Sequence, residues 1–281
     1  MNHPLQSFEI YLRNLDGPLP IQAVRAEALN GMFYTEMKRR APAWVEAMHQ
    51  NGGQAIHPFS LSLLFKDGLC YGFRAAALTR ETGEFIADVW GGLAARAAEV
   101  RLGSANMLVE RVRPGSPRAA SYAQLWETAP TARGMRIRFE TPMKLLVMGH
   151  ATVLPMPRLV WEWYSRRWQA FAGIELPPEF SRWVEWQVHA LEAQLETCYA
   201  FVEKAVAWKG VVGEVAYHAF EDDRDLPASR YHDYLRAWQA LAHMAEFSGT
   251  GEKVTMGMGR THFVKAEGTL QTTAGVNEVN T

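Results

Sequence analysis

The sequence predicts an α+β protein built from two tandem βαββαβ units. Three observations predict it. Hydrophobic periodicity over the first 113 residues runs strand, helix, strand, strand, helix, strand. A second run with the same grammar starts near residue 133. Between them lies Pro114-Gly-Ser-Pro117, a stretch that neither a helix nor a strand accommodates. With 281 residues the chain has room for one large domain or two medium ones.

Residues 7–15 alternate as a half-buried strand, and Gly17-Pro18-Leu19-Pro20 turns the chain. Val24, Ala28, Met32 and Phe33 form the apolar stripe of a helix over about 20–39. Pro42 suits the first turn of a second, short helix, 42–50, and Gly52-Gly53 stop it. Residues 58–78 read as a hairpin turning at Lys66-Asp67-Gly68. A helix over 80–99 and a strand over 105–113 complete the first unit, in the split βαβ or ferredoxin-like order. In the second unit, residues 133–147 are strand-like. Helices follow over 156–172 and over 179–203, the latter through Val184, Val188, Leu191, Leu195 and Val202. Next come a hairpin around Lys209–Gly213 reaching Phe220, a helix over 228–246, and a final strand from near Val254. The expected organisation is a first domain over 1–116, a linker over 117–132, a second domain over 133–267 and a small, polar, disordered tail over 268–281.

Composition sets limits on function. No apolar run reaches the ~18–20 residues that span a bilayer. The opening Met-Asn-His-Pro-Leu-Gln-Ser lacks the charged-then-apolar pattern of a secretory signal. The two cysteines, Cys70 and Cys198, lie far apart without metal-ligand spacing, and Cys198 falls on the apolar stripe of the expected 179–203 helix. A reducing, cytoplasmic setting is the expectation. A net charge of −1 excludes a surface coated in basic charge but leaves room for a local basic groove.

The most distinctive stretch is Phe247-Ser-Gly-Thr-Gly-Glu-Lys-Val-Thr-Met-Gly-Met-Gly-Arg260. Gly249, Gly251, Gly257 and Gly259, with Lys253 and Arg260, lie between a helical pattern and a strand-like run. Such a turn either holds phosphates through backbone N–H groups or joins helix to strand with no ligand. It is not a P-loop: Lys253 follows Glu252 and precedes Val254, and a helix rather than a strand comes first. It is not a dinucleotide fingerprint either, because Val254 or His262 stands where the third glycine belongs.

Nine histidines are scattered, with no HExxH and no pair at zinc spacing. His49 stands at the C-terminal end of the short helix, where the helix dipole favours the imidazolium and suits a residue that exchanges protons near neutral pH. On the preceding helix Glu27, Asn30, Tyr34 and Lys38 share one face, either solvated or part of a site. Glu221-Asp-Asp-Arg-Asp225 lacks EF-hand spacing and reads as a solvated loop. Arg111–Arg118 is either a solvated basic connection or an RNA contact. Trp161, Trp163, Trp183 and Trp186 sit at helical spacing and read as core, and the RNA-recognition-motif signature is absent.

Together these segments resemble the CRISPR-associated endoribonucleases that process precursor crRNA, within the repeat-associated mysterious protein superfamily. Three parts carry the resemblance. The first is Leu29–Tyr34 with Ala41–Gln50 and Pro58–Ser62. The second is Glu140–Lys144 with Leu154–Pro157 and the helix bearing Trp163, Tyr164, Arg166, Arg167 and Trp168. The third is Trp208–Val215 with Ala245–Gly259. The resemblance implies two ferredoxin-like folds and cofactor-free, metal-independent cleavage of a CRISPR repeat RNA by its own 2′-hydroxyl, with no membrane partner. It implies His49 as general acid/base, Tyr34 as a completing residue and the glycine-rich loop as an RNA-backbone contact. Relatives often carry a lysine just after the histidine; residues 50–58 contain none, and Lys38, one turn beyond Tyr34, is the candidate cation. A catalytically inactive crRNA-binding subunit, assembled with other effector subunits, is the alternative.

Overall fold

The computed structural model describes residues 4–50, 56–202, 206–221 and 230–264. The first unit runs β1 (Pro4–Asn14), α1 (Ala26–Arg40), α2 (Pro42–Gln50), β2 (Phe59–Lys66), β3 (Leu69–Ala77), α3 (Arg80–Ala95), β4 (Glu99–Leu102) and β5 (Ala105–Pro114). Its sheet has the order β2-β3-β1-β5-β4 with every neighbour antiparallel, which is the ferredoxin-like arrangement extended at one edge by the β4–β5 hairpin. The second unit holds β7 (Gly134–Met143), a small hairpin of β8 (Leu145–Val147) and β9 (His150–Thr152), α5 (Pro157–Phe171), α6 (Phe180–Gln187), β10 (Val188–Val202), β11 (Val206–Ala219), α7 (Tyr231–Ser248) and β12 (Thr261–Val264). Its order, β10-β11-β7-β12, repeats the same topology. Residues 117–132 carry β6 (Ala120–Ser121), which pairs with β1, and α4 (Tyr122–Thr128), whose Tyr122 is fully buried and donates to the Leu78 carbonyl at 2.9 Å.

Each sheet buries one face under helices. In the first unit Leu29, Met32, Phe33 and Met37 of α1 recur at helical spacing, and Ile86, Val89, Trp90 and Leu93 do so on α3. They close over Ile10, Leu12, Phe73, Ala75 and Val109 from the strands. The Phe33 ring stacks on Phe59 at 4.9 Å, and Trp90 meets Phe73 edge-on at 4.8 Å. In the second unit Trp161 packs on Tyr217 of the sheet at 4.8 Å and on Trp238 of α7 at 5.5 Å. Each such aromatic contributes about 2–3 kcal/mol by leaving water.

The main departure from the periodicity reading is the expected 179–203 helix. Only Phe180–Gln187 is helical; Val188–Val202 is a strand paired along its length with β11. Its Ala, Leu, Glu and Gln favour a helix in isolation, but the valine-rich β11 offers a hydrogen-bonding edge, and tertiary pairing wins over local propensity. Cys198 therefore lies half-buried on an edge strand, not on a helical stripe, and Leu191 and Tyr199 are exposed. Val254–Met256 is a single turn of 3₁₀ helix, and the last strand begins seven residues later than expected, at Thr261. The expected tail falls outside the described residues.

The two units dock through the polar face of the first sheet. Arg74 of β3 donates Nε to the Ser116 carbonyl at 2.8 Å and Nη2 to the Glu246 carbonyl at the end of α7 at 2.7 Å. Burial, then repulsion from Arg260, pushes its guanidinium down to about 9, against the pull of Glu246 and Glu140. Ser60 Oγ donates to the Phe247 carbonyl at 2.6 Å, and Ser7 Oγ to that of Pro117 at 2.6 Å.

Candidate functional site

Helix α1 is the frame of the site. Its buried stripe faces the sheet, and its C-cap Ala41 precedes Pro42, which cannot extend an α1 hydrogen-bond ladder and instead opens α2. Tyr34 and Lys38, four residues apart, lie on one face. The Tyr34 ring packs against Phe33, Trp44 and Phe59 at 6.1, 6.5 and 5.8 Å. Burial pushes its hydroxyl up to about 12, so it stays protonated and can donate a hydrogen bond at neutral pH. The last turn carries three cations. Arg39 pairs with Glu36 at 2.7 Å and Arg40 with Asp88 at 3.0 Å, while exposed Lys38 forms no ion pair among the described residues.

Helix α2 buries Trp44 and Val45 and carries His49 in its last turn; the backbone is described there, the imidazole is not. Where the chain re-enters the described residues, His57 brings its ring 6.0 Å from Phe59, the same ring that packs on Tyr34. Sequence reasoning passed over His57. A signal was present: His49 and His57 bracket one short connection between α2 and β2.

The glycine-rich loop is buried rather than displayed. Gly249 caps α7, its N–H bonded to the Ala245 carbonyl at 2.9 Å. Gly251 has φ +83° and lies so close to β7's end that a Cβ would sit 2.1 Å from the Lys144 carbonyl oxygen. Gly259, at φ +66°, would place one 1.9 Å from the Thr250 oxygen. Only glycine meets both demands. The loop is closed by Thr250 N–H to Gly259 O at 2.8 Å and Glu252 N–H to Lys144 O at 3.0 Å. It is held from α5 by Trp163 Nε1 donating to Gly249 O at 3.0 Å, and by Tyr164 Oη at 2.5 Å from Thr250 Oγ1. Gly257 lies against Leu29 of α1.

The charged members of the loop differ. Arg260 is mostly buried, its Nε 2.8 Å from Glu140 Oε2, an oxygen that His262 Nε2 also meets at 2.8 Å. That hydrogen bond holds the Glu140 carboxyl below its ordinary range and, with one to Glu246, raises His262 above its own. Lys253 is half-exposed in a left-handed conformation, its Nζ 3.9 Å from Met256 Sδ.

The structure thus gathers Tyr34 and Lys38 on one helix face, and the four glycines with Lys253 and Arg260 in one loop. Helix α1 touches both groups: Asn30, in the same polar row as Tyr34 and Lys38, donates Nδ2 to the Thr255 carbonyl of the loop at 3.0 Å. Among the described residues no three His, Cys, Asp or Glu side chains cluster as metal ligands, and no helix is long and apolar enough to cross a membrane.

Residues 137–261 match the family model described as CRISPR-associated endoribonuclease Cas6. A curated relative, the CRISPR-associated endoribonuclease Cas6 of Mycobacterium tuberculosis, is 24% identical over 252 residues, covering 87% of this chain and 74% of the relative. A Cas6 solved as a product complex superposes with a TM-score of 0.75 at 27% identity, covering 93% of this chain and 100% of that one. A Cas6 substrate-mimic complex gives 0.72 at 26% over 93% and 100% of the two chains. The matched segment includes β7, α5, the β10–β11 hairpin and the whole glycine-rich loop, and the superposition extends through both ferredoxin-like units. Over its second unit the chain matches the Cas6 family model, and along most of its length it is similar to CRISPR-associated endoribonucleases of that name.

Proposed function

We propose that this protein cuts CRISPR repeat transcripts into guide RNAs without a metal ion, by in-line attack of a ribose 2′-hydroxyl on the adjacent phosphate. The 2′-oxygen loses its proton and forms the new O–P bond; the P–O5′ bond breaks, and the 5′-oxygen takes up a proton. The products are a 2′,3′-cyclic phosphate and a 5′-hydroxyl. The RNA brings its own nucleophile, so the protein's tasks are alignment, proton transfer and stabilisation of charge on the pentacovalent phosphorus.

His49 is assigned the proton transfer, Tyr34 a hydrogen bond to the reacting phosphate, and Lys38 its charge. The observation carrying this reading is the double role of α1. It presents a neutral, hydrogen-bond-donating tyrosine, and a lysine that forms no ion pair among the described residues, beside the helix that bears His49, and it packs on the family's glycine-rich loop. The loop, with Gly249, Gly251, Gly257 and Gly259 shaping it, is assigned the RNA backbone, with Lys253 and Arg260 as its cations. The two similar structures named above were solved as a product complex and a substrate-mimic complex, which supports an RNA ligand here.

The test is cleavage of repeat RNA in EDTA by the wild type, His49→Ala, Tyr34→Phe and Lys38→Met, beside a substrate with a 2′-deoxy residue before the cut. His49→Ala is expected to bind RNA normally and cleave about 10²–10⁴-fold more slowly. Full activity in that variant, or cleavage that EDTA abolishes, sinks the mechanism. Tight binding without any cleavage by the wild type points to the inactive crRNA-binding subunit.

A further inference from the structure

Helix α5 buries an arginine that has no counter-ion. Arg167 is 5% exposed, yet it forms no ion pair among the described residues. Its Nε has no hydrogen-bond partner, and its Nη1 reaches only the Trp163 carbonyl of its own helix, at 3.5 Å. Burial pushes the guanidinium down to about 9, so it is still a cation at neutral pH. A buried cation with no carboxylate weakens a fold rather than holding it together. What Arg167 does have is a ring. Its Cζ stands 3.4 Å from the centroid of Trp163, one helical turn back.

Trp163 is in turn engaged at the glycine-rich loop. Its Nε1 donates to the Gly249 carbonyl at 3.0 Å. The N–H of the same peptide unit, that of Thr250, donates to the Gly259 carbonyl at 2.8 Å. The indole and Gly259 therefore grip the two ends of one peptide plane, at the point where the chain leaves α7 and the loop closes on itself. Gly249, at φ 64° and ψ 179°, leaves that plane free to turn, so the groups that hold it decide its direction. Lys253 lies within the ring so closed, between Thr250 and Gly259.

We infer that Arg167 and Trp163 are positioning residues for RNA binding: the guanidinium, stacked on the indole, fixes the ring whose N–H sets the Gly249–Thr250 peptide, and through that peptide the place of Lys253. The inference rests on the proposed assignment of the loop to the RNA backbone. Arg167 itself is enclosed and meets no RNA. Its use is to hold the loop in the binding shape before RNA arrives. A loop that spends only part of its time in that shape binds more weakly by that fraction. The packing of the loop has a separate support, Tyr164 Oη at 2.5 Å from Thr250 Oγ1, so the indole N–H can be removed without removing what anchors the loop to α5.

The test compares wild type, Trp163→Phe and Arg167→Met in binding repeat RNA that carries the 2′-deoxy block, in cleaving the unmodified RNA, and in urea unfolding. Trp163→Phe keeps an aromatic face for Arg167 and deletes the N–H; Arg167→Met removes the planar cation. Each is expected to raise Kd by about 3–10-fold, the effect of one hydrogen bond or one stack. KM is expected to rise with it and kcat to stay unchanged. The urea midpoint of Arg167→Met is expected to equal or exceed that of wild type, because no carboxylate is left behind. In a Lys253→Met background, Trp163→Phe is expected to change Kd by less than about twofold, since both act through one ammonium. Wild-type affinity in both variants, a kcat that falls with KM unchanged, an Arg167→Met midpoint that drops along with affinity, or a full Trp163→Phe effect without Lys253 overturns the inference and leaves the proposed function standing. A wild type that binds no repeat RNA overturns the proposed function with it.

Discussion

Replacing Gly251 with alanine is expected to destabilise the protein by about 2–5 kcal/mol, although it adds one methyl group. The added Cβ would stand 2.1 Å from the Lys144 carbonyl oxygen, where no atom can remain. Relief requires the loop to withdraw from β7, breaking the 3.0 Å hydrogen bond from Glu252 N–H to that oxygen. Holding a non-glycine residue at φ +83° costs about 1–2 kcal/mol, and leaving a buried carbonyl unsatisfied costs about 1–3 kcal/mol more. Gly257→Ala is the internal control. It carries the same backbone strain at φ +94°, but its Cβ meets the Leu29 Cδ2 methyl at 3.3 Å, which can give way, and Ser62 Cα at an ordinary 3.9 Å. That variant is expected to lose only about 1–2 kcal/mol. Urea unfolding with a shared m-value separates the two through their midpoints. Equal midpoints for Gly251→Ala and Gly257→Ala would show that close approach to Lys144 is not what glycine provides at 251.

Arg74→Met is expected to cost about 2–5 kcal/mol, because the Ser116 and Glu246 carbonyls each lose a buried donor; a thermal midpoint equal to wild type would remove Arg74 from the docking of the two units. His262 gives a pH signature. Its folded-state pKa is raised by Glu140 and Glu246, so its contribution is fully present below the unfolded value of 6.5 and is lost as pH rises through the folded value. Glu140, depressed chiefly by the same hydrogen bond, contributes above its unfolded value of 4.5 and loses that contribution as pH falls through its folded value. The stability gap between wild type and His262→Gln is therefore expected to widen on going from about pH 8 to about pH 5. A gap independent of pH in urea titrations would dissociate His262 from the Glu140 pair.

The elements legible in the sequence were those whose signals are local. The β2–β3 hairpin announces itself through Lys66-Asp67-Gly68 between alternating runs, and α2 through Pro42 at its first turn. Strand β10 was not legible because what makes it a strand lies elsewhere, in the hydrogen-bonding edge of β11. The same division runs through the site. Tyr34 and Lys38 could be set on one face from their spacing alone, whereas Arg74, a single arginine within Phe73–Ala77, reveals its role only against the end of a helix 172 residues away.

The glycine-rich loop shows why a motif and its physical role have to be argued separately. In sequence its glycines look like room made for a ligand's phosphates. In the fold, Gly251 and Gly259 make room for the protein's own carbonyls at Lys144 and Thr250, and Gly257 for Leu29. Two of the four glycine N–H groups are committed within the protein: that of Gly249 goes to Ala245, and that of Gly259 to Pro142. Arg260 is turned inward onto Glu140. Within the proposed function, Lys253 is then the loop residue best placed to meet a phosphate, because it is half-exposed, with its Nζ 3.9 Å from Met256 Sδ. A substitution at the glycines should accordingly weaken RNA binding through loss of loop shape, with a stability cost that accompanies it. Removal of the Lys253 charge should weaken binding with none. Measuring affinity and unfolding midpoint on the same variants distinguishes a loop that builds the site from a residue that touches the RNA.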